Sequence, residues 1–261
     1  MGETWTDKFL VGLDLGQAHD YTAVTLMERV GLVQPFTYQL RFMRRFPLQM
    51  PYPDIFSALQ RIVMVPELTP RPSLAPQGDA RCTLLVDATG VGAPVVDILR
   101  VMVRKGMLPV KLLPVLIVGG ASTTFDGVRW HVPKRDLATA VKILLDSKRL
   151  QISTKIKDHI LLVKELESFR VKISTSAVDT YEAWREKDHD DLVLSTALCC
   201  WWAERKRKKM LEMEGDKGVR VEERRVDDVY TRYELYPSTR EQARARQEGW
   251  TWGDVQKYGK I

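Results

Sequence analysis

With 261 residues, 44% of them hydrophobic, the chain is long enough to bury one substantial α/β core or two small ones. Its formal charge of +6 suits a polyanionic partner without singling one out, because ordinary soluble proteins carry excesses of this size. No stretch approaches the roughly 20 apolar residues of a membrane span, and residues 1–8 lack the apolar core of a secretory leader. The cysteines, Cys82, Cys199 and Cys200, are odd in number and two are adjacent. That argues against a disulfide framework and for a reduced, cytoplasmic setting.

Residues 9–13, Phe-Leu-Val-Gly-Leu, form an apolar run that ends in Asp14, which predicts a buried strand delivering an acid to its C-terminal end. Residues 16–20 read as a turn. Residues 21–27 and 37–46 return as β-rich segments, so the chain opens on an antiparallel three-strand meander. Pro51 and Pro53 in a first turn, with Ile55, Leu59 and Ile62 at helical spacing, predict a helix to about residue 65. A proline-rich loop follows over 66–77.

Residues 83–86 make the next buried strand, with Asp87 where it ends. A helix over 94–103, a strand over 110–118 and a glycine turn at 119–122 continue the alternation. Pro133 starts a helix reaching about 148, with Leu137, Val141, Leu144 and Leu145 apolar. A further helix is expected over 157–169, its apolar face carried by Ile160, Leu161, Val163 and Leu166. The alternating Arg-Val-Lys-Ile-Ser of 170–174 suggests, with 179–184, a projecting hairpin. The last core helix runs from about 190 to 207. A core domain over 1–206 and a charged C-terminal extension over 207–261 are the expected units, the extension opening near the basic run Arg205-Lys206-Arg207-Lys208-Lys209.

Asp14, Asp87 and the pair Asp190-Asp191 thus stand at two strand ends and one helix start. Carboxylates gathered in this way suit hard divalent ions, and two such ions about 3.5–4 Å apart can activate a water and stabilise the leaving oxygen of a phosphodiester. Each acid also has a plainer reading. Asp14 can cap a turn before Gly16, Asp87 can cap the strand-to-helix turn Asp-Ala-Thr-Gly, and the Asp190-Asp191 pair can favour a helix N-terminus. With Leu194, Ala197, Leu198 and Trp201 defining the buried face, Asp190 and Asp191 fall on either side of it, and periodicity does not choose between them.

Together, Gly12-Leu13-Asp14-Leu15-Gly16-Gln17-Ala18-His19-Asp20-Tyr21-Thr22-Ala23, Val86-Asp87-Ala88-Thr89-Gly90-Val91-Gly92 and His189-Asp190-Asp191-Leu192-Val193-Leu194-Ser195-Thr196-Ala197-Leu198 resemble the C-terminal nuclease domain of bacteriophage terminase large subunits. The resemblance spans about residues 8–206. It implies an α/β, RNase H-like (RuvC-like) fold, a mixed central sheet flanked by helices, and metal-dependent endonuclease cleavage of DNA during genome packaging. It further implies two Mg²⁺ or Mn²⁺ ions held by Asp14, Asp87 and Asp191, with Asp190 the alternative or fourth acid. Asp20 matches a supporting acid near the metals. His189 is read as positioning the helix start or contacting phosphate, with capping as the alternative. Lys134 and Arg135 are the candidate phosphate contacts. The implied partners are double-stranded DNA and a separate packaging ATPase or other phage packaging proteins, in the cytoplasm of a bacterial host cell.

The chain departs from full terminase large subunits in having no Gly-x-x-x-x-Gly-Lys-Ser/Thr phosphate loop, so no ATPase motor is expected in it. Actin-like and sugar-kinase ATPases form the rival class, since Asp14-Leu15-Gly16, Asp87-Ala88-Thr89-Gly90 and Val118-Gly119-Gly120-Ala121 imitate their phosphate and adenosine turns in order. That fold is a duplicated domain longer than this chain, and it gives the His-Asp-Asp helix start no role. A DNA-binding module that does not cut is the third reading.

Overall fold

The computed structural model describes residues 7–16, 20–31, 34–68, 81–90, 92–175 and 190–215. Their strands form a single sheet in the order β6-β7-β5-β4-β1-β2-β3-β8. The centre is β1 (Phe9–Asp14) between β2 (Ala23–Val30) and β4 (Cys82–Asp87), with β3 (Thr37–Arg45) beyond β2 and β5 (Lys111–Val118) beyond β4. β1, β2 and β3 pair antiparallel as a meander, while β4 and β5 join parallel to β1 and to each other. Every residue of β1 and of β4 is buried. This is why both read as continuous apolar runs rather than alternating ones, as expected of parallel strands covered on two faces.

The edges hold three short strands with too few residues to show a period: β6 (Thr124–Phe125), β7 (Trp130–Pro133) and β8 (Leu150–Ile152). β7 lies parallel to β5, and β8 lies parallel to β3. The helices are α1 (Tyr52–Val63), α2 (Gly92–Arg104), α3 (Lys134–Asp146), α4 (His159–Thr175) and α5 (Asp191–Gly215).

Two expectations are corrected by α4. It continues through Thr175, so residues 170–174 are helical and not the first arm of a hairpin; 176–184 lie outside the described residues. A five-residue alternation cannot override a helix already nucleated and propagating. Its packed face is also different. Leu162, Glu165 and Phe169 are buried, at helical spacing, whereas Ile160 and Val163 are exposed. With Ile160, Leu161, Leu162 and Val163 all apolar, the sequence marks no single side.

The first half of α5 is buried all round, from Asp191 to Ala203. It crosses the sheet so closely that a Cβ on Gly12 would stand 1.8 Å from the backbone oxygen of Ser195. Thr25, the register partner of Gly12 on β2, fixes the crossing through hydroxyl hydrogen bonds with Ser195 (2.8 Å) and Thr196 (3.2 Å). The first compact unit ends at Glu204. α5 runs on into a second, Arg205–Ile261, of which residues 205–215 are described.

Candidate metal centre

Asp14 and Asp87 are register partners on neighbouring parallel strands, so their Cα atoms sit one strand spacing apart at the same C-terminal edge. Ligand sites of open α/β sheets lie just beyond this edge. The third acid follows from the crossing of α5. Gly12 and Asp14 lie two residues apart on one face of β1, and Asp191 precedes Ser195 by one helical turn. Two residues of strand advance about 6.6 Å and one turn of helix about 5.4 Å, and the charge of Asp191 acts on Asp14, so the contact of Gly12 with Ser195 carries Asp191 toward Asp14. Periodicity left Asp190 and Asp191 undecided; the crossing makes Asp191 the buried one, at 6% exposure beside 8% each for Asp14 and Asp87. Asp190 and Asp20 are half-buried.

The environment of Asp14 is that of a carboxylate among acids. Burial raises its pKa well above the ordinary aspartate value, and Asp87, Asp191, Asp190 and Asp20 each push it further in the same direction. Asp87 is engaged differently. Its Oδ1 accepts a 2.8 Å hydrogen bond from the Thr89 amide and a second from the Thr89 hydroxyl. The turn-capping role read from the sequence is therefore present, but it uses one of the two carboxylate oxygens.

Asp191 heads a network that the sequence did not suggest. Arg45, the last residue of β3, places Nη2 3.2 Å from Asp191 Oδ2 and hydrogen-bonds Oε1 of Glu165 from α4. The other Glu165 oxygen accepts the Val193 amide at 3.1 Å, satisfying an orphan donor in the first turn of α5. Burial raises Asp191 and Glu165 each to about 7, against the opposing pull of Arg45.

These shifts fix the sign of a pH effect. A carboxyl whose folded pKa lies above its unfolded value of about 4 holds its proton more tightly when folded, so ionising it erodes stability. In EDTA, stability measured by urea unfolding is expected to fall as pH rises from about 4.5 through about 7, with added Mn²⁺ removing the slope. Stability that climbs through this window in EDTA would contradict the buried acid cluster.

Two further predicted residues, Lys134 and Arg135, open α3 directly after the end of β7. Lys134 Nζ is 3.6 Å from Asp190 Oδ2. Arg135 is more than half exposed, donates to the backbone oxygen of Ala121 and lies 3.8 Å from Asp136. His189 falls outside the described residues.

As to metal, the donor set is suitable: all-oxygen, three buried carboxylates, with Asp191 Oδ2 buried and accepting no hydrogen bond. As the side chains stand, however, no three His, Cys, Asp or Glu among the described residues are close enough to enclose an ion. Asp191 is turned to Arg45 and Asp87 to Thr89.

The sheet order β3-β2-β1-β4-β5, one antiparallel meander joined to parallel strands, with α5 laid across β1, defines an RNase H-like α/β fold. Only one copy of it occurs among the described residues, unlike the duplicated actin-like architecture. No protein-family model and no curated protein sequence matches the chain. Among solved structures it is similar to the human cytomegalovirus terminase nuclease domain soaked with Mn, at 12% identity over 77% of this chain and 86% of that one, TM-score 0.44. It is also similar to the same domain with Mn and a bound inhibitor (12% identity, 77% and 86% covered, TM-score 0.42) and to that domain in a third structure (14%, 76% and 85%, TM-score 0.43). No helix among the described residues is long and apolar enough to cross a membrane.

Proposed function

We propose that the chain is a Mg²⁺- or Mn²⁺-dependent endodeoxyribonuclease of the terminase packaging type, acting on double-stranded phage DNA in a bacterial host cell. The observation that carries the reading is the pairing of Asp14 with Asp87 in register at the C-terminal sheet edge, with Asp191 brought over them by the Gly12 crossing. The order and spacing of the three acidic motifs support the packaging role, and a packaging ATPase is the partner this role calls for.

In this reading Asp14, Asp87 and Asp191 hold the ions, with Asp190 and Asp20 at the margin. Bound there, the metal supplies a water of lowered pKa and charge stabilisation at the phosphodiester. The chain's own side chains orient the backbone. Lys134 and Arg135 offer cations on one rim, and a cleft that reaches Arg45 carries Arg44 and Lys157 on its walls. Phosphate contacts carry no sequence information, so cutting is expected to be largely indifferent to sequence.

The deciding experiment is nicking of supercoiled plasmid with Mg²⁺ or Mn²⁺, run beside ATP hydrolysis. A folded protein that nicks at no concentration of either ion is not this nuclease, and ATP turnover would favour the rival class. DNA binding should weaken with salt, and Lys134→Ala is expected to weaken it evenly across sequences while lowering the salt slope by about 1. An unchanged slope in that variant would remove Lys134 from the phosphate path.

A further inference from the structure

Arg45 is shared by two buried acids and is itself half-buried: its side chain is 13% exposed, that of Glu165 4% and that of Asp191 8%. They come from three separate elements, the end of β3, the middle of α4 and the first residue of α5. Two buried carboxylates without a cation would be strongly disfavoured, so the guanidinium is what lets them share this space. The Tyr21 ring lies 4.8 Å from the guanidinium carbon and limits its movement.

The division of its bonds is unequal. Arg45 Nη2 donates to Glu165, whereas Asp191 Oδ2, although 3.2 Å away, accepts no well-aimed hydrogen bond, and Arg45 Nε is buried without one. A fork of donors able to grip a carboxylate at two points is thus anchored on Glu165 and held beside Asp191 without gripping it. Asp191 is neutralised from close range and keeps an oxygen able to accept a further partner.

We propose that Arg45 is the built-in counter-ion of the acid cluster: anchored by Glu165, it holds Asp191 at the sheet edge in the metal-free protein and competes with a divalent ion for that carboxylate. It is a positioning residue and touches no reacting atom. The competition rests on the nuclease reading; the counter-ion role does not. Glu165 carries both halves, since one oxygen fixes Arg45 and the other fixes the first turn of α5.

The test is thermal unfolding of the full chain in EDTA and across a Mn²⁺ titration, for the wild type, Arg45→Met, Asp191→Asn and the double variant. In EDTA, Arg45→Met is expected to lower Tm by on the order of 10 °C, because two buried acids lose their cation. Adding Asp191→Asn should recover roughly half of that loss, a coupling that a merely structural arginine would not show. With Asp191 intact, Arg45→Met should respond to Mn²⁺ at a several-fold lower concentration than the wild type, its competitor being gone.

Arg45→Lys keeps the charge without the fork and should fall between wild type and Arg45→Met. If Arg45→Met does not fold, the cycle is run with Arg45→Lys and the same sign of coupling is expected. Additive losses in EDTA overturn the counter-ion role, and an unshifted Mn²⁺ midpoint overturns the competition. A wild type whose Tm ignores Mn²⁺ sinks the metal reading and the competition with it, while the EDTA coupling still decides the counter-ion role by itself.

Discussion

Asp14→Asn is expected to abolish DNA cleavage, by about a thousandfold or more, and to leave the metal-free protein as stable as the wild type or a few degrees more so. The two effects come from one environment. Asp14 is buried, and the charges that act on it most strongly are four other acids, so its negative charge opposes folding unless an ion is bound. Asparagine keeps the shape and one oxygen but removes the charge, and each 1 kcal/mol of relieved repulsion raises Tm by about 2–4 °C in a domain of this size. The gain should vanish when Mn²⁺ is added, because the wild type then recovers the stabilisation that the variant has lost. Asp87→Asn should lose cleavage equally but gain less stability, since Thr89 hydrogen-bonds its carboxylate. Destabilisation by Asp14→Asn in EDTA with cleavage retained would show that the acid is a structural cap and that the chemistry lies elsewhere.

Which parts of this arrangement the sequence reveals depends on the distance over which each is determined. Asp14 and Asp87 are legible because a buried parallel strand is a continuous apolar run, and an acid at its end stands out. Their pairing in register is not legible, since it depends on how the 67 residues between the end of β1 and the start of β4 return the chain to the sheet. Asp191 becomes distinguishable from Asp190 only when Gly12 is seen beneath Ser195, a contact between the two ends of the domain. Arg45 and Glu165 looked like ordinary charged residues of a strand and a helix, 120 positions apart. The usable signal was Glu165 itself, which occupies the helical row of Leu162 and Phe169: a charge on a buried face requires a partner. β7 and β8, at four and three residues, are held by their neighbours in the sheet and carry no period of their own.

Gly12→Ala tests the crossing on which the site depends. The new Cβ would lie 1.8 Å from the oxygen and 2.8 Å from the carbon of the Ser195 backbone carbonyl, and 3.0 Å from Cys199 Sγ. A flexible side chain can turn aside, but this obstruction is the main chain of a helix buried on all sides, so α5 must lift or β1 must bend. Lifting α5 would pull Ser195 and Thr196 from Thr25, leaving buried hydroxyls short of their partner, and would draw Asp191 away from Asp14. The combined cost is expected to be about 3 kcal/mol or more, seen as a Tm lower by roughly 6–12 °C, with little cleavage even at temperatures where the variant is folded. Trimming Ser195 to glycine should not rescue it, because the clash is with the carbonyl and not the side chain; Thr25→Ala, by contrast, should cost only about 1 kcal/mol and leave cleavage measurable. A Gly12→Ala protein with the stability and activity of the wild type would mean that α5 does not press on β1, and the placement of Asp191 over Asp14 and Asp87 would fall with it.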